Sequence, residues 1–270
     1  MTFPRNFLVC LTGLPSSGKS TLARRLKQEI LKQDPRQEIK IIDPDIIRTK
    51  LTGDMFDPEK EDVVRKKNLK AIEKALKKGK IVISDDLNYY SSMRHELREI
   101  ADNLNLPFFI IYISTPLETC IEWNVDRGLP IPNEVIYKIN NKFDYFEKYE
   151  WDTPDLVINP SKGDDLTPKI RNFLIMVRKE FQKLRTKGDS PPHPIKNHHD
   201  EYAQKLDILT RETVSELLKE PHNREVKSKI LAARKHFIKK NLDKAIQISK
   251  IPEKFKKFLK KQVDTKLTVD

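Results

Sequence analysis

Apolar positions follow two alternating rhythms through the first 185 residues. Short continuous blocks predict buried strands at 7–13 ("FLVCLTG"), 38–43 ("EIKIID"), 80–86 ("KIVISDD") and 107–114 ("PFFIIYIS"), with a short last one inside 151–160 ("WDTPDLVINP"). Between them the spacing becomes helical. Leu22, Leu26 and Ile30 mark a helix over 20–33, and 61–79 is an amphipathic helix stopped by Gly79. Further helices are predicted over 93–105, over 117–128 and over 165–185. Strands alternating with helices imply an α/β fold, a doubly wound parallel sheet with helices on both faces. In such sheets ligands sit beyond the carboxyl ends of the strands.

After residue 185 the pattern changes. Residues 186–199 ("TKGDSPPHPIKNHH") hold three prolines and a glycine with few apolar residues, and read as a linker. His193, His198 and His199 lie in or at the edge of it, with no cysteine nearby and no zinc-ligand spacing, so they read as linker residues. Residues 201–263 are helical again, with core positions at Leu206, Leu209, Val214, Leu217, Leu218, Ile230, Leu231, Phe237 and Ile238. The expected division is a domain over 1–185, a linker over 186–199 and a small all-α domain over 200–270. No internal repeat is visible. No run approaches the roughly 20 apolar residues of a membrane span. The apolar run near the N-terminus leads straight into a glycine loop and reads as a strand, not a signal peptide.

Charge sharpens this division. The net charge is +12. Residues 1–185 carry 32 basic and 28 acidic side chains, net +4, whereas 186–270 carry 20 and 12, net +8. The shorter piece holds two-thirds of the excess, which suggests a polyanionic partner, with nucleic acid the first candidate. Cys10 and Cys120 form no disulfide framework; they read as core thiols of a protein in a reducing, cytoplasmic setting.

Candidate chemistry begins with "GLPSSGKST". Gly13-x-x-x-x-Gly18-Lys19-Ser20 is a P-loop pattern placed as required, after a strand and at the start of a helix. The loop and helix start (Gly13, Leu14, Pro15, Ser16, Ser17, Gly18, Lys19, Ser20 and Thr21) turn backbone N–H groups toward phosphates. Lys19 is expected on the β/γ-phosphates and Ser20 on Mg²⁺, which makes ATP and Mg²⁺ the expected cofactors. Asp85 and Asp86 end the third strand, where an acid can hold the metal, and Asp85 is the preferred one. "DPDIIR" ends the second strand. There Asp45 can take a proton from an acceptor hydroxyl and sits in the Mg²⁺ neighbourhood with Ser20 and Asp85. Asp43 competes for that role, and either could simply cap the helix that follows. Arg48, three residues on, shares the face of Asp45 and could touch phosphate. Arg127, after the fourth strand, is a candidate to neutralise the transferring group.

In order and spacing, "LTGLPSSGKST", "DPDIIR", "DDLNYYSSMRHELREIA", "DRGLPIPNEVIYKI" and "EWDTPDLVI" resemble the archaeal and eukaryotic O-phosphoseryl-tRNA(Sec) kinases, closest to the archaeal type. The string from Asp85 to Arg94 is the most specific. "KLDILTRETVSELLKE" (205–220) is similar to the start of that family's helical tRNA-binding domain. The resemblance implies phosphorylation of the serine hydroxyl of Ser-tRNA(Sec) by ATP and Mg²⁺, with Asp45 rather than Asp43 as the activating base. It also implies a basic C-terminal module on the tRNA, with Asn88, Tyr89 and Arg94 bordering the acceptor end. It suggests a homodimer and no membrane.

One position departs from the pattern. The family's lid carries two arginines four residues apart; Arg127 is the second, and Trp123 stands at the first. An indole cannot replace a guanidinium at a phosphate. This keeps a second reading in view, a tRNA-stimulated P-loop ATPase of the Elongator-associated kind, which "LNYY" (87–90) also resembles. A third is another RNA or small-molecule kinase of the same fold.

Overall fold

The computed structural model describes residues 3, 5–53, 58–146, 149–163, 165–186, 198–242 and 246–262. The chain separates into two compact units, Met1–His193 and Pro194–Asp270.

The first unit is built on five parallel strands, β1 (Leu8–Gly13), β2 (Ile39–Ile42), β3 (Ile81–Ser84), β4 (Phe108–Ile113) and β5 (Leu156–Ile158), in the order β2-β3-β1-β4-β5. All five expected strands are present. β1 lies at the centre, with Leu8 opposite both Val82 of β3 and Phe108 of β4. Period-two alternation sends its residues to opposite faces. Val9 and Leu11 join one core, with Leu22, Leu26 and Ile30 of α1 (Lys19–Gln33) and Ile170, Leu174 and Val177 of α7 (Leu166–Thr186). Leu8 and Cys10 face the other core, with Ile72 and Leu76 of α3 (Glu61–Lys77) and Leu97 and Ala101 of α4 (Ser91–Asn103). Helices therefore cover both faces of a doubly wound sheet.

The chain moves from β1 out to β2, returns to β3 beside β1, then crosses to β4 on the other side. The reversal puts a crevice at the carboxyl end of β1, where the glycine loop begins. Two more helices flank that end: α2 (Pro44–Thr52) follows β2, and α5 (Leu117–Asp126) follows β4. The remaining one, α6 (Asn133–Asn140), is absent from the sequence expectations. Its single buried apolar residue, Ile136, gives too little periodicity to read. Ile136 packs with Leu14, Cys120 and Phe143 in a small apolar cluster beside the loop.

The second unit is helical: α8 (His198–Leu217), α9 (Pro221–Glu225), α10 (Lys227–Asn241) and α11 (Ile251–Gln262). Leu206, Val214, Leu217, Ile230, Phe237, Ile251, Phe255 and Leu259 form its core. Leu231 is a correction: the sequence pattern puts it in this core, and the structure leaves it exposed. The inward face of α10 is set by Ile230, Ala233 and Phe237, and one residue's rotation carries Leu231 away from it. Leu209, Leu218 and Ile238 are partly buried at the core's edge. Of the expected linker, 187–197, with His193, lies outside the described residues, while His198 and His199 belong to α8. Cys10 and Cys120 are free and buried, as expected of core thiols. Among the described residues no helix is long and apolar enough to cross a membrane.

Candidate active site at the carboxyl edge of the sheet

The loop between β1 and α1 requires glycine at two points. A Cβ on Gly13 would lie 2.7 Å from the backbone oxygen of Ile113, and Gly18, at φ 97, caps α1 in the left-handed region. Thr115 donates to the Ser17 carbonyl at 2.8 Å, tying the loop to the end of β4. Gly13 N–H donates to Leu87 O, and the Thr12 hydroxyl to Leu87 O and Asn88 O, so the segment after β3 is laced to the end of β1.

Lys19 folds back over this loop. It is almost wholly buried, and its ammonium donates to the carbonyls of Leu14 at 2.5 Å and Gly13 at 3.2 Å. Burial pushes its pKa down to about 8, and the negative charges of Asp85, Asp86 and Asp45 oppose that shift. A buried cation held by neutral carbonyls is a strong anchor for an anion brought to the loop.

The acidic pair after β3 divides. At Asp85 burial raises the pKa, and the Ser20 hydroxyl and the Lys19 charge pull it back. Asp86 turns away, accepting from Leu87 N–H at 2.7 Å and facing Arg65 of α3 at 3.4 Å. Arg65 itself is anchored on Glu96 and on the Met93 carbonyl. Ser20 and Asp85 supply hard oxygen donors suited to Mg²⁺, a cation that keeps most of its other ligands as water and phosphate. Among the described residues no group of three or more His, Cys, Asp or Glu side chains is placed to hold a metal.

Asp43 and Asp45 also separate. Asp43 is the N-cap of α2, accepting from Asp45 N–H at 2.8 Å. Burial raises its pKa to about 6, and Asp45, Asp85 and Asp86 push the same way. The capping alternative is therefore realised at Asp43. Asp45 sits in the first turn of α2 with an exposed carboxylate that accepts from Arg48. Arg48 is also forked onto Glu61 of α3, at 2.6 and 2.9 Å. The charges of Asp45 and Asp85 act on both Lys19 and Asp43, raising the pKa of each.

Arg127 caps the carboxyl end of α5 and donates to the Ser16 hydroxyl, so it reaches the glycine loop. Trp123, one turn earlier, brings its indole within 3.8 Å of a Cβ built on Gly18, and Pro160 approaches the same point at 3.6 Å. Thr21 is exposed on the first turn of α1, where it accepts from Arg24.

Two of the residues expected at the acceptor end are buried and bonded within the protein. Arg94 is 0% exposed, forked onto Asp152 at 2.6 and 2.5 Å and bonded to the carbonyls of Asn88 and Asp144. Asn88 is equally buried and donates to Leu11 O at 2.9 Å, with its backbone at φ 41. Both brace the 87–90 turn rather than border a ligand. Tyr89 remains half-buried, its ring 4.1 Å from that of Tyr90. Sequence reading missed Glu61, Arg65, Asn124 and Asp152. Glu61, Arg65 and Asn124 lie outside the motifs quoted, and Asp152 sits within "EWDTPDLVI" without a role there; each is assigned by its partner.

Comparison with known proteins places this geometry in context. The family model described as "Chromatin associated protein KTI12" matches residues 7–269. The L-seryl-tRNA(Sec) kinase of Methanococcus maripaludis is 33% identical over 264 residues, 95% of this chain and 99% of that protein. Protein KTI12 of Saccharomyces cerevisiae is 28% identical over 203 residues, 68% of this chain and 61% of that protein. The crystal structure of Chaetomium thermophilum Kti12 in complex with ADP-AlF3 superposes with a TM-score of 0.53 and 23% identity, covering 63% of this chain and 96% of that one, which shows a shared fold.

Proposed function

Starting from the premise that this chain belongs to the KTI12 and L-seryl-tRNA(Sec) kinase family, we propose that it is an ATP-dependent kinase that phosphorylates the serine hydroxyl of Ser-tRNA(Sec). The observation that carries the acceptor is the end-to-end similarity to the Methanococcus maripaludis enzyme, which includes the helical unit. What carries the phosphoryl chemistry is the buried Lys19 ammonium on the glycine loop beside the Ser20–Asp85 pair.

In this reading the triphosphate lies on residues 13–21, with Lys19 at the β/γ-phosphates. Ser20 and Asp85 would hold Mg²⁺, with Asp45 nearby, and the ion would supply charge neutralisation to the phosphates. Asp45 accepts the serine proton as the serine oxygen bonds to the γ-phosphorus and the bond to the ADP oxygen breaks. Arg48 is a positioning residue, holding Asp45 while anchored on Glu61. Arg127 leaves the Ser16 hydroxyl for the transferring group. The exposed lysines of α11, among them Lys254, Lys260 and Lys261, grip tRNA phosphates.

A second reading, a tRNA-stimulated ATPase, is favoured by one feature: Trp123 stands where a second lid arginine is expected. γ-labelled ATP, Mg²⁺ and three acceptors separate the two readings: serylated tRNA(Sec), serylated tRNA(Ser) and uncharged tRNA(Sec). Label on serylated tRNA(Sec) alone is the expected result. Phosphate released only when tRNA is present, with no acceptor labelled, selects the ATPase.

A further inference from the structure

Asn124 takes no part in the chemistry above, yet its side chain makes three hydrogen bonds beside the glycine loop. It is 0% exposed in the last turn of α5. Its Oδ1 accepts from the Ser16 hydroxyl at 3.3 Å. Its Nδ2 donates to the Ile131 carbonyl at 2.6 Å and to Asn133 Oδ1 at 3.0 Å. Only a nitrogen can donate to a carbonyl, so this orientation of the amide is chemically required. Its own carbonyl accepts from Leu129 N–H at 2.9 Å. One residue thus joins the glycine loop, α5, the 128–132 turn and the start of α6.

Both ends of that bridge are backbone that needs holding. Ser16 is a non-glycine residue at φ 62 within the phosphate loop. The turn passes through two successive left-handed residues, Gly128 at φ 83 and Leu129 at φ 55. Such conformations cost on the order of 1 kcal/mol or more for non-glycine residues and persist where surroundings hold them. Asn124 bonds to both segments. The Ser16 hydroxyl is also shared: it donates to Asn124 and accepts from Arg127, at the root of the same turn. Leu14 adds an apolar tie, packing against Ile131 and Ile136 on the far side of the turn.

We propose that Asn124 is a positioning residue that couples the phosphate loop to the 127–133 segment through Ser16, so that nucleotide on the loop and order in that segment rise and fall together. The inference rests on the nucleotide-binding reading of the loop. When a phosphate draws Arg127 away, the Ser16–Asn124 bond still registers the segment over the loop. Loss of Asn124 releases both ends together.

The test uses the full-length protein and ATP with Mg²⁺. Titration calorimetry gives the ATP affinity of wild type, Asn124→Ala, Ser16→Ala and the double variant, and hydrogen exchange follows residues 127–133. Each single change is expected to weaken ATP roughly tenfold, as loss of a buried hydrogen-bond partner does, and the double variant to bind no worse than the weaker single. Ser16→Ala, which alters no core residue, is expected to speed exchange in 127–133, whereas ATP slows it in the wild type. Additive losses in the double variant overturn the coupling. So does unchanged exchange in Ser16→Ala, or an Asn124→Ala protein that melts earlier but binds ATP normally. Ser16→Ala keeps the test decisive if Asn124→Ala does not fold. A wild-type protein that binds no ATP overturns the nucleotide reading itself, and is seen before any variant is made.

Discussion

Lys19 carries its charge inside the protein, and that makes its titration a functional readout. In the free protein burial holds its pKa at about 8, well below an ordinary lysine. A polyphosphate favours the protonated form, so binding takes up a proton wherever the free lysine has lost one. ATP affinity is therefore expected to be flat below pH 8 and to weaken about tenfold per pH unit above it. Calorimetry at several pH values in buffers of different ionisation enthalpy checks both the slope and the proton uptake. Lys19→Ala is expected to cost about a hundredfold or more in phosphoryl transfer. The two acids of "DPDIIR" make different predictions. Asp45→Asn should abolish transfer while ATP affinity changes less than about threefold, since its proposed partner is the acceptor hydroxyl. Asp43→Ala should instead lower stability by about 1 kcal/mol through the lost helix cap, measured by thermal denaturation. An Asp45→Asn enzyme that loses ATP binding would contradict the role assigned to it.

At the scale of elements, the 87–90 turn shows how a specific-looking motif can be structural. Arg94 of α4 reaches back to the Asn88 carbonyl, across to Asp152, and stacks over Phe146 at 4.7 Å. Burial raises the pKa of Asp152, and the two Arg94 bonds draw it down again. Removing one partner leaves the other charge buried and alone, which costs about 3–5 kcal/mol. Arg94→Met is expected to lower stability by that amount in denaturant titrations, and Arg94→Met with Asp152→Leu to recover part of it. A drop in tRNA phosphorylation without loss of stability in Arg94→Met would restore a substrate role to this residue. α2 and α3 are joined in a similar way, through the Arg48 fork onto Glu61, and the same Arg48 bonds the Asp45 carboxylate.

For the whole molecule, two-thirds of the net positive charge falls in residues 186–270, which include the helical unit Pro194–Asp270. α11 buries Ile251, Phe255 and Leu259 on one face and leaves Lys254, Lys260 and Lys261 exposed on the other. Such a helix keeps its core while offering a row of cations to a polyanion. Binding of tRNA is expected to fall steeply with salt. Replacing Lys254, Lys260 and Lys261 by Glu should reduce the slope of log K against log salt by roughly one for each lysine–phosphate pairing removed, with an unchanged melting temperature. Filter binding at several salt concentrations measures it, and an unaltered slope would remove this helix from the tRNA interface.

What was legible in the sequence alone is what local patterns encode. Strand blocks, helix periods and the glycine loop each depend on residues a few positions apart, so the parallel sheet and the loop after β1 could be read directly. The break near residue 186 and the basic bias beyond it were equally plain. Tertiary structure decided whatever depends on partners far along the chain. Arg94 reads as a substrate-facing residue in its motif, but its true neighbours, Asp144 and Asp152, lie 50 and 58 positions away. Asp85 and Asp86 share one sequence context, and only the positions of Ser20 and Arg65 send one to the site and the other to the scaffold. Asn124 is anonymous in a helix of ordinary composition; Ser16, 108 positions earlier, gives it meaning. Burial and hydrogen-bond pairing belong to the folded surface rather than to the residue, and no local pattern contains them.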